Sequence, residues 1–367
     1  MYLIYWLAIW LNVLKIMNKI NIATVFSGIG SVEHALHRLD IAHDIIFACD
    51  IDKYCKQTYF ENFKINENQW YDDVKVIDGT KYNGKIDLFV GGSPCQSFSM
   101  VGKRKGLDDD RGNLFFEFAR LVDEIKPKVF IFENVKGLLS HNSGKTWITI
   151  ENRIKELGYK YHKQVLNAKN YGIPQNRERL FVVGFLEEQK FEFPKPIPLE
   201  ITMQDLLIDN LDAKYFLPEK GIKFVSDEKN LKKRYTQIDG KIALCQKRNQ
   251  QFNWHGDFVM DKYFLSEKVK KYVLASGTGD FYSKPETDLE IARPLLSTMA
   301  KMHRAGVDNY ITRGDKLRKL TPRECLRLMG FNDDFKIVVS DTQAYKQAGN
   351  TIVVDVLVNI LKSIYAK

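Results

Sequence analysis

From Ile20 to Phe26 the chain reads Ile-Asn-Ile-Ala-Thr-Val-Phe, then Ser27-Gly28-Ile29-Gly30-Ser31, then a helical pattern from Val32 to Leu39. This strand, glycine turn and helix constrain the fold more than any other stretch. A buried strand that passes through glycines straight into a helix opens a βαβ unit, and βαβ units build parallel α/β sheets. The glycines let a ligand approach backbone N–H groups, and the helix start favours a carboxylate or another anion. Taken alone, G-x-G is equally well a tight turn. The next strand, Asp44 to Cys49, ends in Asp50-Ile51-Asp52. An acid at the end of a second strand, about 20 residues after the glycines, suits a ribose diol. Both signals occupy one βαβ unit, which points to a nucleotide-like cofactor.

A second stretch carries the reactive chemistry. The apolar run Ile86 to Val90 delivers Gly91-Gly92-Ser93-Pro94-Cys95-Gln96-Ser97-Phe98-Ser99 into a loop. Pro94 fixes its own φ and biases Ser93 towards extended geometry, so the direction of the Cys95 side chain is constrained. A lone cysteine is more often a small buried hydrophobe, but a polar, glycine-rich loop is not what a structural cysteine needs. Two glycines flank Lys103-Arg104-Lys105 further along, as in a mobile lid that meets phosphates or in a plain solvated loop.

The strand Val129 to Phe132 ends in Glu133-Asn134-Val135. Parallel strands expose their carboxyl ends together, so Glu133 is expected on the same sheet edge as Cys95. Asp73, near a possible third strand at Trp70-Tyr71, is either an acceptor for an amino group or a solvated turn acid. Arg177 and Arg179 precede and enter the strand Leu180 to Phe185. Strand alternation would point both the same way, towards phosphate or a base edge.

The chain has 367 residues and a formal charge of +9. It is long enough for two unequal domains, and its charge favours a polyanionic partner, with nucleic acid ahead of membrane. Five cysteines, odd in number and without metal-ligand spacing, imply a reducing, cytoplasmic setting with neither disulfides nor structural zinc. Met1 to Leu14 is nearly all apolar but too short to span a bilayer, and Met17 is the expected natural start. Pro194, Pro196 and Pro198 mark a boundary, after which regular βα alternation is not expected until about Glu290. Lys214 to Arg248 holds ten Lys/Arg against four Asp/Glu with aromatics interleaved, which suits a surface that faces nucleic acid. Leu320-Thr321-Pro322-Arg323-Glu324 reads as a capped helix start, and Gln347 to Thr351 reads as the opening of a C-terminal helix.

Taken in order, these blocks resemble the bacterial DNA (cytosine-5)-methyltransferases of restriction–modification systems. The matching residues are Phe26 to Gly30, Gly91 to Ser99, Glu133 to Val135, Gln175 to Arg179, Arg293-Pro294-Leu295 with Leu320 to Gly330, and Gln347 to Thr351. The resemblance implies an α/β, Rossmann-like S-adenosylmethionine-dependent methyltransferase fold with a mixed sheet. Residues 18–190 and 291–367 would form the catalytic domain. Residues 191–290 would form a smaller, irregular target-recognition domain, and 1–17 an extension. S-adenosylmethionine would be the methyl donor, held by Phe26, Gly28, Gly30, Asp50, Ile51, Asp73, Pro94, Asn350 and Thr351, with no metal. Ile51 stands where the family often has a larger side chain against the adenine.

Cys95 would be the nucleophile, Glu133 its acidic partner at ring N3, and Arg179 with Arg177 the holders of the base. The target would be a cytosine flipped out of duplex DNA, with Val101 in the lid entering the vacated space. The implied assembly is a monomer off the membrane, with at most a cognate endonuclease acting on the same site without a stable complex. Two readings stay open within the family: a transfer RNA cytosine-5 methyltransferase and a catalytically silent DNA-binding relative. A cysteine hydrolase would need a histidine partner motif, which the sequence lacks.

Overall fold

The computed structural model describes residues 19–94, 114–208, 219–233, 236–242, 256–260, 287–292, 294–295, 310–313 and 316–365. Cys95, the expected lid at 97–106 with Val101, and Arg293 lie outside the described residues. The chain forms two compact units, one of residues 1–166, 178–194 and 357–367, the other of 167–177 and 195–356.

The first unit is a seven-stranded sheet with helices between its strands. In chain order it contains β1 (Ile20–Val25), α1 (Ser31–Arg38), β2 (His43–Cys49), α2 (Lys53–Asn62), β3 (Trp70–Tyr71), β4 (Leu88–Gly91), α3 (Leu114–Ile125), β5 (Val129–Val135), α4 (Lys145–Glu156), β6 (Lys160–Asn167) and β7 (Glu178–Phe185). Spatially the strands run β3-β2-β1-β4-β5-β7-β6. β1 pairs in parallel with both β2 and β4, whereas β7 runs antiparallel to β5, so the sheet is mixed. The order reverses at β1, and in an open α/β sheet the crevice at such a reversal, beyond the strands' carboxyl ends, receives ligands.

The core explains why the strand ends are placed so firmly. α3 turns Phe115, Phe118, Ala119, Leu121, Val122 and Ile125 inwards, a helical stripe at i, i+3, i+4 spacing. Phe118 stacks on Phe89 of β4 at 5.1 Å between ring centroids, and Phe115 meets Phe132 of β5 edge-on at 5.2 Å. Burying one such ring contributes roughly 1.5–3 kcal/mol. Two glycines make room for the rings. A Cβ on Gly91 would come within 2.7 Å of the Phe118 ring, and one on Gly184 would run into the Phe130 ring opposite it.

Among the described residues, the second unit holds five strands, β8 (Thr236–Ile242), β9 (Gly256–Met260), β10 (Thr287–Ile291), β11 (Tyr310–Arg313) and β12 (Lys316–Lys319), in the order β10-β8-β9-β11-β12. The region without clear βα alternation thus contributes strands to a sheet of its own. Before them lie two short helices, α5 (Glu219–Val225) and α6 (Glu228–Lys232). The expected capped start appears at α7 (Pro322–Arg327): Thr321 caps it in a reciprocal box with Glu324, with Pro322 in the first turn.

The expectation for Gln347 to Thr351 needs correction. Those residues close a helix, α8 (Asp341–Asn350), rather than open one, and α9 begins afresh at Val354 and runs to Tyr365. Gly349-Asn350 is a stop signal that the apolar stripe beyond it obscured. By length and composition, Asp341–Tyr365 is the one candidate membrane span among the described residues, and it is mostly buried inside the protein.

Candidate active site

The site grows from the carboxyl ends of β1, β2, β4 and β5. At the end of β1 the backbone turns sharply, with Phe26 at φ 55° and Gly28 at φ 57°, in the left-handed region. Nothing lies within 4 Å of where a Cβ of Gly28 would stand, so this glycine faces open space. Gly30 differs. It caps α1 at φ 82°, and a Cβ there would run into the Phe63 ring, so it serves helix packing as well as the turn.

Asp50 follows β2 directly. Its Oδ2 accepts the Gly28 N–H at 2.8 Å and its Oδ1 accepts the Asp52 N–H at 2.9 Å. The carboxylate is therefore aimed by the glycine turn. Beside it Ile51 is 83% exposed, an unusual position for a large apolar side chain. Burial, and after it the charges of Asp50, Asp73 and Asp72, push the Cys49 thiol up. Cys49 is thus an inert thiol, and the three acids gather round one strand end. Asp73 caps the short turn after β3, its Oδ1 accepting the Lys75 N–H at 3.0 Å.

On the other side of β1 the loop that leads to Cys95 is tied down before it leaves the sheet. Ser93 is buried, and Asn134 Nδ2 donates to both its carbonyl, at 3.3 Å, and its Oγ, at 3.2 Å. Gly92 packs against Glu133 so closely that a Cβ would stand 2.9 Å from Oε2. Any other residue at 92 would displace the carboxylate. Gly92 precedes Cys95 by three residues, with Pro94 the last described residue before it.

Glu133 in turn meets Arg179, whose Nε lies 3.1 Å from Oε1, with both side chains largely shielded at 12% and 16% exposure. The antiparallel register explains the pair. Glu133 stands opposite Phe181 and Val135 opposite Arg179, so the acid and the arginine are diagonal neighbours on one face.

β7 begins at Glu178, so the alternation expected to carry both arginines covers Arg179 and stops short of Arg177. The Arg177 guanidinium is buried, and its Nη2 donates to the carbonyls of Gly349, at 3.1 Å, and Thr351, at 3.0 Å. It tethers the corner that presents exposed Asn350 and buried Thr351. Gln175 helps from the same segment by donating to the Leu328 carbonyl at 2.7 Å. Asn134, Ser93 and Gln175 stand in the sequence blocks named above, but the sequence assigned them no role of their own. Their roles lie in backbone contacts that no spacing reveals.

Comparison with known proteins decides the family. The family model for C-5 cytosine-specific DNA methylase matches residues 20–366. This chain belongs to that family. The type II methyltransferase M.SsoII of Shigella sonnei is 34% identical over 351 residues, spanning 93% of this chain and 78% of that one. M.HhaI of Haemophilus parahaemolyticus is 33% identical over 346 residues, spanning 94% and 93%. Among solved structures, the Entamoeba histolytica methyltransferase EhMeth matches at a TM-score of 0.65, with 20% identity over 95% of this chain and 98% of that one. Spodoptera frugiperda DNMT2 matches at 0.63, with 21% identity over 94% and 99%. The protein is a DNA (cytosine-5)-methyltransferase with the Rossmann-like fold of its structural neighbours. Among the described residues, this methyltransferase has no cluster of metal-ligating side chains.

Proposed function

We propose that the enzyme moves a methyl group from S-adenosylmethionine to carbon 5 of a cytosine flipped out of a specific duplex DNA sequence. The observation that carries this reading is the Glu133–Arg179 pair, set against the Gly92 backbone on the strand edge that delivers Cys95. The first unit fits the donor on its own features. The open space at Gly28 admits an amino-acid moiety, the fixed Asp50 carboxylate suits a ribose diol, and exposed Ile51 offers an apolar face to a purine. Pro94, Asp73, Asn350 and Thr351 complete the proposed set. When bound, the donor supplies an electrophilic sulfonium methyl.

The residues divide the remaining work. Carbon 5 of cytosine is a poor nucleophile. Addition of the Cys95 thiolate to carbon 6 makes the ring an enamine nucleophilic at carbon 5. Glu133 holds a proton at ring N3 and so stabilises the electron pair displaced by the addition. Arg179 orients Glu133 and offsets negative charge on the base. Once carbon 5 carries the methyl group, loss of its proton restores the double bond to carbon 6 and expels the thiolate. Arg177 acts at a distance by tethering the Asn350–Thr351 corner. A base inside a stacked duplex is out of reach, so the cytosine must be extruded, at a cost of a few kcal/mol.

Residues 191–290 would choose the target sequence, and the biological role would be protection of DNA in the cytoplasm, by a monomer, against an endonuclease of the same specificity. Transfer of labelled methyl groups to duplex DNA and to transfer RNA, followed by bisulfite mapping, tests the reading. Methylcytosine at one duplex sequence supports it. Labelling of transfer RNA alone would replace it with the RNA-directed alternative.

A further inference from the structure

A chain of oxygen atoms runs beneath the glycine turn and ends on a buried acid outside the chemistry proposed above. Tyr59 Oη lies 2.7 Å from Glu33 Oε1, and Thr24 Oγ1 lies 3.1 Å from that same oxygen. Ser27 Oγ lies 2.8 Å from Thr24 Oγ1 and 3.1 Å from the Cys49 carbonyl oxygen. Every one of these four contacts joins oxygen to oxygen, so each needs a hydrogen of its own. The hydroxyls of Tyr59, Thr24 and Ser27 supply one apiece, and the Cys49 carbonyl supplies none. The fourth hydrogen has one place to sit, the Glu33 carboxyl.

With that proton on Oε1 the chain runs in one direction. Tyr59 donates to Glu33, Glu33 to Thr24, Thr24 to Ser27, and Ser27 to the Cys49 carbonyl. With Glu33 ionised, Thr24 must turn to donate to it, and Ser27 is left with one hydrogen for two acceptors. The side chain is 1% exposed, and its Oε2 makes no hydrogen bond among the described residues. A buried carboxylate with one oxygen uncompensated is costly.

We infer that Glu33 is held as a neutral acid and is a positioning residue for the proposed donor cradle. It fixes the hydroxyl directions that lock the glycine turn onto the end of β2. Ser27 is the junction: its N–H donates to the Cys49 carbonyl at 2.9 Å, and its Oγ accepts the Cys49 N–H at 3.0 Å. One residue on from each, Gly28 donates to Asp50. The hydroxyl chain thus sets the register of the turn, and the turn aims the Asp50 carboxylate.

Other groups round Glu33 agree. Burial raises its carboxyl above the usual range, outweighing the hydrogen bonds of Tyr59, of its own backbone N–H and of Thr24, and the charge of His43, which act the other way. Tyr59 is itself pushed well up, first by burial and then by Glu33.

The test uses the full chain and two readouts. Glu33→Gln keeps a hydrogen towards Thr24, while its second amide hydrogen faces Tyr59, which must turn to accept it; the variant is expected to fold and to bind S-adenosylmethionine within about threefold of wild type. Glu33→Ala, and Thr24→Val, which cuts the chain at its middle, are expected to weaken donor binding about fivefold to tenfold, the equivalent of a hydrogen bond. This arm rests on the donor reading above. The second arm needs no donor and measures Tm of the ligand-free protein against pH.

Stability from a protonated Glu33 is full below the unfolded carboxyl value of about 4.3 and drains as pH rises towards the raised folded value. The Tm of Glu33→Gln should therefore gain on wild type as pH rises above about 5, until the raised folded value is passed, with His43 present in both. A flat difference, or one that grows as pH falls, would overturn the neutral acid. Wild-type donor affinity in Thr24→Val would overturn the positioning role. If S-adenosylmethionine fails to bind the wild type at all, the donor reading falls and the thermal arm still decides the protonation state.

Discussion

The two flanks of β1 do their work by different physics. On the β2–β3 side, the proposed donor flank, the side chains are few and the backbone does most of the shaping: a left-handed turn at Phe26 and Gly28, and one carboxylate aimed by a glycine N–H. On the β4–β5–β7 side, the proposed reaction flank, charge dominates, with Glu133 and Arg179 paired in a shielded position and Gly92 leaving them room. A conformational site tolerates loss of one contact, because the remaining geometry still binds. An electrostatic site does not, because removal of one buried partner strands the other.

Substitutions on the two flanks should therefore differ in both size and kind. Cys95→Ala is expected to lower methyl transfer by at least about a thousandfold, since no covalent route remains. Activity near wild type in a labelled-methyl assay would remove the mechanism. Glu133→Gln should lower kcat by about a hundredfold to ten-thousandfold, with duplex binding nearly unchanged in a gel-shift measurement. A loss confined to DNA affinity would turn Glu133 into a binding residue and erase the contrast. Asp50→Ala should act on the other quantity, raising the donor KM about tenfold to a hundredfold with little change in kcat, because a charge-assisted contact is lost while the turn persists. A fall in kcat alone would blur the two flanks into one.

Gly28→Ala comes last. The space is open, so strain at positive φ is the whole cost, about 1–2 kcal/mol, read as a lowered midpoint in denaturant together with a modest rise in donor KM. Stability equal to wild type would mean that the turn relaxes easily and is less rigid than proposed.

Much of the first unit was legible from residue order. The buried runs at Ile20, Asp44, Ile86 and Val129 all became neighbouring parallel strands. These runs show because apolar side chains that are covered on both faces leave an unbroken record in the sequence. What failed to show were ends and partners. Arg177 and Arg179 look equivalent in a strand pattern, yet one tethers Gly349 and Thr351 while the other meets Glu133. Strand β7 starts between them, and no local signal marks that start. Gln347 to Thr351 was read as a helix opening because the apolar stripe beyond it is stronger than the Gly349-Asn350 stop.

By itself the sequence determined most elements of the first unit, the strand edge on which Glu133 and Asp50 belong, and the family. Local periodicity and glycine placement act over a few residues and survive in one dimension. Only the tertiary structure decided that Asp50 is aimed by Gly28, that Glu133 is paired diagonally with Arg179 across an antiparallel ladder, and that Glu33 lies under the turn at the end of a hydroxyl chain. Those arrangements join residues distant in sequence, and their directions depend on register and hydrogen count, which exist only once the strands lie side by side.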